Sequence, residues 1–221
     1  AISAGYNYSP KKYLPIFAEK GQQNIEGWGI GFFRDDQSLV EKSSEQVFSH
    51  HQVHESFQRL ARIIDSRIIL SHLNCPQSGG HHSAQLHPLK LEFLDHHSMF
   101  VQVGFVENVE EYRTIGTPRL EPDFYTARIF EYLRDAIVLF HGQNPYVSLY
   151  GALRMGIQNL LTEYPGHYTF FLANESVLFA FCNYRQLKLF KEFETMGDIL
   201  MITSIKEGLS KNNWHSVIPD K

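Results

Sequence analysis

The sequence predicts an α+β fold in which helices pack over mainly antiparallel sheet. The chain has 221 residues, of which 43% are hydrophobic, and this is enough for one domain with a sizeable core. No fixed-period repeat, low-complexity tract or Pro/Gly/Ser linker divides it, so we expect a single domain over residues 1–221. Strand-like segments come first, two long helical segments follow, and strand-like segments then return. Such segregated runs are typical of α+β folds rather than of alternating βαβ units.

The first third of the chain predicts three strands and one helix. Residues 28–33 are a short apolar run with glycines, typical of a buried strand. Apolar residues recur at helical spacing over residues 53–64, which predicts an amphipathic helix. Residues 67–72 are rich in β-branched side chains and residues 99–106 are apolar, so both segments predict strands.

The middle of the chain predicts two helices. Apolar residues repeat every three or four positions over residues 124–140, with Asp123 as the expected N-cap and Gly142 as the expected stop. A second repeat of this kind covers residues 149–161 and ends before Pro165.

The last third predicts strands again. Residues 168–173 and 177–183 flank three turn-forming residues, which is the signature of a β-hairpin. Residues 187–190 and 199–203 are expected to continue the sheet.

The charge balance argues against several classes of partner. The chain carries 20 Lys and Arg against 24 Asp and Glu, a net charge of −4. Without a basic excess, we expect neither nucleic acid nor an anionic membrane as a partner. No apolar run approaches the roughly 20 residues that span a bilayer, and no signal peptide opens the sequence. Two cysteines do not make a disulfide framework, so a cytoplasmic location is expected.

Histidine is the unusual residue of the composition, with 12 copies. His50 and His54 have the i, i+4 spacing of metalloprotease ligands, but position 51 is His where that motif has Glu. We therefore expect this segment to be a surface helix. His81, His82 and His87 share one segment and would bind zinc only if the fold made them converge, so a histidine metal site stays an alternative.

The cysteines and loops offer one further candidate. Cys75 opens the loop-like segment 75–84, and it is read either as a nucleophile beside a histidine or as an inert thiol. Cys182 lies in a predicted strand and is expected in the core. The segment 115–122 is the other loop-like stretch and is short enough to be functional.

Several short segments are more specific when they are taken in order along the chain. They are Ala1-Ile2-Ser3, Glu26-Gly27-Trp28-Gly29, Ser71-His72-Leu73-Asn74, Leu86-His87-Pro88-Leu89, residues 100–104, Asp123-Phe124-Tyr125, the hairpin 168–184, and residues 204–209 with Trp214 and Pro219. In this order they resemble the motifs of the class II glutamine amidotransferases, N-terminal-nucleophile (Ntn) hydrolases, in the subfamily of short stand-alone bacterial proteins. The resemblance spans nearly the whole chain. It implies a four-layer αββα sandwich with two mainly antiparallel sheets between helix layers.

The resemblance also implies a reaction. In the family, an N-terminal cysteine thiol attacks the side-chain amide of glutamine and its own α-amine serves as base. An Asn-Gly pair forms the oxyanion hole, an Arg grips the substrate α-carboxylate, and an Asp pairs with its α-amine. The ammonia passes to a synthetase partner or a second site, while other members hydrolyse γ-glutamyl compounds. No cofactor is implied.

This sequence departs from the family at its reactive positions. By resemblance, Val103 stands at the oxyanion Asn and Gly104 at the remaining oxyanion-hole position, while Asn74 stands at the Arg. Asp123 is kept. Ala1 aligns several residues after the nucleophile, so the cysteine nucleophile is not present in this sequence.

The remaining family positions are expected beside the pocket, as substrate-binding or supporting residues. They are Trp28, Gly29, His72 and His87. The sequence thus predicts a class II glutamine amidotransferase-like domain with impaired catalysis. The alternatives are a non-catalytic ligand- or partner-binding module and a histidine-loop metal protein. The expected ligand is a small amino-acid-like molecule such as glutamine or a γ-glutamyl compound, with an ammonia-accepting or regulatory protein as the other candidate partner.

Overall fold

The computed structural model describes residues 1–20, 27–74, 86–121, 124–204 and 214–217. Within them the chain forms, in order, Ile2–Tyr8 (β1), Tyr13–Glu19 (α1), Trp28–Arg34 (β2), Gln37–Ser43 (β3), Phe48–Ser49 (β4), Gln52–Val53 (β5), Glu55–Ile63 (α2), Ser66–Leu73 (β6), Leu89–Phe93 (β7), His96–Val103 (β8), Tyr125–Gln143 (α3), Leu149–Glu163 (α4), Thr169–Ala173 (β9), Leu178–Cys182 (β10), Leu187–Glu194 (β11), Gly197–Thr203 (β12) and Trp214–Val217 (β13). A short 3₁₀ helix covers Val109–Glu111. None of the described helices combines the length and apolarity that crossing a membrane requires.

Two antiparallel sheets form the centre of the fold. The larger has the strand order β13-β11-β12-β1-β6-β2-β3 and the smaller the order β10-β9-β8-β7. All pairings within these two sheets are antiparallel. The strands β4 and β5 make a separate small hairpin.

Three apolar clusters show how the layers stack. The first joins the outer face of the larger sheet to α1 and α2, through residues such as Trp28 and Phe57. The second joins the outer face of the smaller sheet to α3 and α4. The third lies between the sheets, where Leu70 of the larger sheet meets Met99 and Val101 of the smaller one. The α+β class and the four-layer αββα sandwich are therefore confirmed.

Most strands and helices lie close to where the sequence pattern predicts them. The buried strand predicted at 28–33 is β2, and the predicted hairpin is β9 and β10. Its turn is closed by Asn174, whose Oδ1 accepts hydrogen bonds from the backbone N–H groups of Ser176 and Val177. Cys182 is buried, as expected.

Two predicted boundaries are wrong, and each has a local cause. The strand predicted at 99–106 ends at Val103, because Gly104 turns the backbone with φ of +141°. The helix predicted to stop at Gly142 continues through Gln143, because Gly142 does not take the positive φ with which glycine ends a helix. The N-cap position of α3 is Phe124, and Asp123 lies outside the described residues.

The predicted surface helix through His50 and His54 is also wrong. His50 and His51 occupy the turn between β4 and β5, with φ of 50° and 62°. His54 follows this hairpin as the N-cap of α2, and its Nε2 lies 2.5 Å from the carboxylate of Glu45. The i, i+4 spacing of His50 and His54 therefore does not place them on one face of a helix.

Buried charges fasten the loop 112–121 to α3. The carboxylate of Asp135 accepts hydrogen bonds from the hydroxyls of Tyr112 and Thr114 and from the backbone N–H of Ile115. Arg134, which is 2% exposed, donates to Asp135 and to the carbonyl oxygen of Pro118.

A second buried carboxylate continues this attachment. Glu131 is fully buried; it accepts from the backbone N–H of Leu120 at 2.7 Å and pairs with Arg128. The described part of the predicted loop, residues 115–121, is thus held by paired charges.

Candidate functional site

The family positions that the structure describes gather mainly at one end of the sandwich. The last residues of β6 and the first residues of β2 pair there, with Gly29 opposite His72 and Trp28 opposite Leu73. The backbone N–H of Asn74 extends this pairing by donating to the carbonyl oxygen of Gly27 at 2.9 Å. In the other sheet, β8 ends at Val103.

The segment 86–88 closes against β2 at a point where only glycine fits. A Cβ built on Gly29 would lie 1.9 Å from the carbonyl oxygen of His87. A Cβ on Gly31 would lie 2.5 Å from the sulfur of Met99 and 3.0 Å from Pro88. The peptide bond between His87 and Pro88 is cis. Gly29 is therefore required by the close approach of this segment, and Gly31 leaves room for Met99 and Pro88.

His72 and His87 make an edge-to-face contact, with ring centroids 4.6 Å apart. His87 is 5% exposed, and neither of its ring nitrogens has a hydrogen-bond partner. Burial lowers the pKa of His72 to about 4. Burial, together with the nearby charges of His72 and Lys42, lowers the pKa of His87 well below its usual value. Both rings are therefore neutral near pH 7.

The backbone at the end of β8 also depends on glycine. Gly104 has a φ of +141°, and a Cβ there would lie 1.8 Å from the carbonyl oxygen of His167. Because Met99 and Val101 face the space between the sheets, the alternation along β8 places Val103 on that same side. Its isopropyl group supplies no hydrogen-bond donor.

Thr169 is the polar residue directly opposite Val103, in β9. It is 4% exposed, and its hydroxyl has no hydrogen-bond partner. Directly opposed residues of neighbouring strands have Cβ atoms about 5 Å apart, so this hydroxyl is a neighbour of the Val103 side chain.

Gln102 is a buried polar residue that the sequence pattern missed. It is 1% exposed and its Oε1 accepts a hydrogen bond from the Thr126 hydroxyl at 3.0 Å, while its Nε2 has no partner. Like Phe100, it faces α3 rather than the space between the sheets. A single glutamine inside an apolar strand was the available signal, since a buried amide needs partners.

Trp28 lies apart from the other site residues. It is on the outer face of β2, 2% exposed, and its ring meets that of Phe57 with centroids 5.2 Å apart. Gly29, the next residue, faces the other way. The structure therefore gathers Gly29, His72, Asn74 and His87 near one edge but separates Trp28 from them by the thickness of the sheet.

Other candidates lie outside the described residues. They are Cys75, His81, His82 and Asp123. Among the residues that the structure does describe, no three His, Cys, Asp or Glu side chains lie close enough together to hold a metal ion.

A sequence profile of the class II glutamine amidotransferases matches residues 10–198. A search of curated protein sequences finds no significant match. Several solved structures have a similar fold at low sequence identity. One is a predicted glutamine amidotransferase from Pseudomonas aeruginosa PA01, with 14% identity, a TM-score of 0.59, and coverage of 87% of this chain and 81% of that one.

Two other solved structures extend this similarity. A class II glutamine aminotransferase domain protein from Silicibacter pomeroyi has 13% identity and a TM-score of 0.54, over 88% of this chain and 84% of that one. Glutamine phosphoribosylpyrophosphate amidotransferase from B. subtilis has 13% identity and a TM-score of 0.64. The match covers 99% of this chain but only 44% of the B. subtilis enzyme.

Proposed function

The chain belongs to the class II glutamine amidotransferases, and from that premise we propose that it is a catalytically impaired member that binds a small amino-acid-like ligand. Glutamine or a γ-glutamyl compound is the ligand that the family chemistry suggests. The observation that carries the proposal is the contrast between two neighbouring positions, Val103 and Gly104. Gly104 is retained where the backbone needs it, whereas Val103 has no side-chain donor where the family has Asn.

A missing oxyanion donor has a large effect on rate. Removal of one such donor lowers kcat on the order of 100- to 1,000-fold in a characterised enzyme. The family Arg is replaced in addition by Asn74, which has no charge and cannot make the bidentate contact of a guanidinium with a carboxylate. The close contacts at Gly29 and Gly104 support a site whose shape is kept while its reactive groups are not.

The proposal is tested by measuring ammonia release and ligand binding on the same full-length protein, with its native N-terminus established by mass spectrometry. We expect L-glutamine to bind, while ammonia release stays near that of a protein-free sample. Release at the rate of an intact class II member assayed in parallel would overturn the impairment. Failure of L-glutamine and γ-glutamyl compounds to bind would overturn the proposed identity of the ligand.

A reversal experiment examines the two replaced positions. In a protein whose N-terminus carries a cysteine nucleophile, Val103→Asn with Asn74→Arg is expected to raise ammonia release on the order of 100-fold. Val217→Asn, a matched change at a half-exposed strand position of the larger sheet, is expected to leave it unchanged. An equal effect of both changes would contradict the roles assigned to Val103 and Asn74.

A second candidate, a residual amidohydrolase, is favoured by one observation, the unpartnered hydroxyl of Thr169 opposite Val103. In this candidate the hydroxyl donates to the developing oxyanion in place of the missing amide. An ammonia-accepting protein partner belongs only to this candidate. If slow ammonia release is found, Thr169→Val should abolish it, and unchanged release in that variant would exclude the role of Thr169.

A further inference from the structure

Basic side chains gather at the open edge of the sandwich, where β3 of the larger sheet comes into contact with β7 of the smaller one. Gly29 pairs with Lys42 on one side and with His72 on the other, so the three residues form a row across β3, β2 and β6. Neighbouring strands are about 4.8 Å apart, so the Cα atoms of Lys42 and His72 lie about 10 Å from each other, one on each side of Gly29. His87 lies over the glycine between them.

Lys90 approaches this row from the other sheet. It pairs with Met99, which belongs to the cluster between the sheets, so its side chain leaves β7 on that same inner face. Lys42, His72, His87 and Lys90 are called the basic cluster below.

The charged groups that act on the pKa values of Lys42 and His87 are all basic, although Glu92 lies on the same face of β7 as Lys90. The charges that act on Lys42 and His87 are those of Lys90, His72 and Lys42, and among the described residues no carboxylate contributes. Burial and the repulsion of Lys90 lower the pKa of Lys42 to about 8, although part of its side chain reaches solvent. His87 adds two buried ring nitrogens without hydrogen-bond partners.

An anion would complete this arrangement, since the buried ring nitrogens of His87 have no partner and the exposed, like-charged Lys42 and Lys90 repel each other. We propose that the basic cluster binds the carboxylate of a small ligand, with Lys42 supplying the positive charge that position 74 lacks. This inference rests on the proposed function, because it specifies how the amino-acid-like ligand is held. Lys42 donates a charge-assisted hydrogen bond to the carboxylate. The neutral imidazoles of His72 and His87 can each donate one ring N–H to the carboxylate.

The test is a titration of the full-length protein with L-glutamine, L-glutaminamide and inorganic phosphate. L-Glutaminamide has an uncharged carboxamide in place of the α-carboxylate of L-glutamine. Binding is followed by calorimetry and by the ring C–H signals of the histidines in NMR. We expect L-glutamine to move the signals of His72 and His87, and L-glutaminamide to bind about tenfold more weakly or worse, the factor typical of a lost charge-assisted hydrogen bond.

Three lysine variants complete the design. Lys42→Gln is expected to weaken L-glutamine binding about tenfold or more, whereas Lys42→Arg keeps the charge and retains most of the affinity. Lys188→Gln removes the same charge from the same sheet, but from β11 near the opposite edge, and should bind like the wild type. Circular dichroism establishes that each variant is folded.

The outcomes separate this inference from the proposed function. If L-glutamine binds equally well to Lys42→Gln, or if L-glutaminamide binds as tightly as L-glutamine, the basic cluster is not the carboxylate site, although the ligand proposal stands. If phosphate alone binds and depends on Lys42, the basic cluster is an anion site and the amino-acid-like ligand is refuted. If none of the three probes moves the signals of His72 and His87, the inference is refuted.

Discussion

The contact between Gly29 and the segment 86–88 allows a quantitative prediction for Gly29→Ala. The added Cβ would lie 1.9 Å from the carbonyl oxygen of His87, whereas real Cβ contacts essentially never fall below 3.0 Å. The colliding atom belongs to the backbone, so either β2 or the segment must move by more than 1 Å. We expect a loss of about 3 kcal/mol in the free energy of unfolding, at the upper end of the cost of overpacking. For a chain of 221 residues this lowers Tm by about 6–12 °C.

Gly5→Ala is the matched control, because Gly5 also lies in a strand of the larger sheet. Its nearest neighbours would be 3.7 Å from the new Cβ, which is ordinary contact. Alanine in an open strand position loses less conformational entropy than glycine, so a gain of about 0.5 kcal/mol is expected there. Urea unfolding followed by circular dichroism measures both. Equal stabilities of Gly29→Ala and the wild type would refute the assignment of Gly29 to a forced close approach.

Three further predictions concern the site and its surroundings. Gly104→Ala should lower Tm by about as much as Gly29→Ala, because it combines a φ of +141° with a Cβ 1.8 Å from the His167 carbonyl; an unchanged Tm would contradict this. Acidification from pH 6.5 to about 4 should lower the free energy of unfolding by up to about 3 kcal/mol through His72, whose folded pKa of about 4 lies below its usual 6.5, so that the unfolded chain takes up the proton first. His72→Gln should flatten this part of the pH profile, and an unaltered profile would argue against it. Although burial of Asp135 raises its pKa, its hydrogen bonds lower the pKa below the usual 3.8 overall, so Asp135→Asn should destabilise the protein near neutral pH. That difference should shrink as the pH falls below 3.8 towards the folded pKa; a difference that grows on acidification would exclude this role.

The secondary structure that follows from local pattern was largely predictable. The two long helices and the hairpin of β9 and β10 each carry their own signal, a helical repeat or two apolar runs around turn residues. The edge strands β3 and β7 were not predicted. Gln37–Ser43 has no regular alternation of apolar and polar residues, whereas the alternation in Leu89–Phe93 was an available strand signal that was missed. His50 and His51 misled the helix prediction, since spacing does not reveal a backbone with positive φ.

In the candidate site, too, some residues were predictable from the sequence and others were not. The order of the motifs was enough to mark Gly29, His72, His87 and Gly104, and the structure gives physical reasons for both glycines. The same motifs placed Trp28 beside them, but alternation along β2 sends its side chain to the opposite face. Lys42 carries no motif at all. It joins the site only because β3 pairs with β2 in a register that sets it opposite Gly29.

The sequence by itself determined the family and the α+β class, because these depend on residue identity and order along one chain. It also predicts the positions where reactive residues are replaced. Only the tertiary structure decided which replaced or retained residues face each other. In the tertiary structure the His87 carbonyl packs against Gly29, and Thr169 lies opposite Val103. Lys90 also lies near enough to Lys42 to repel it. These contacts join residues far apart in sequence across two sheets. They are set by strand register and by the packing of the layers, which no local pattern encodes.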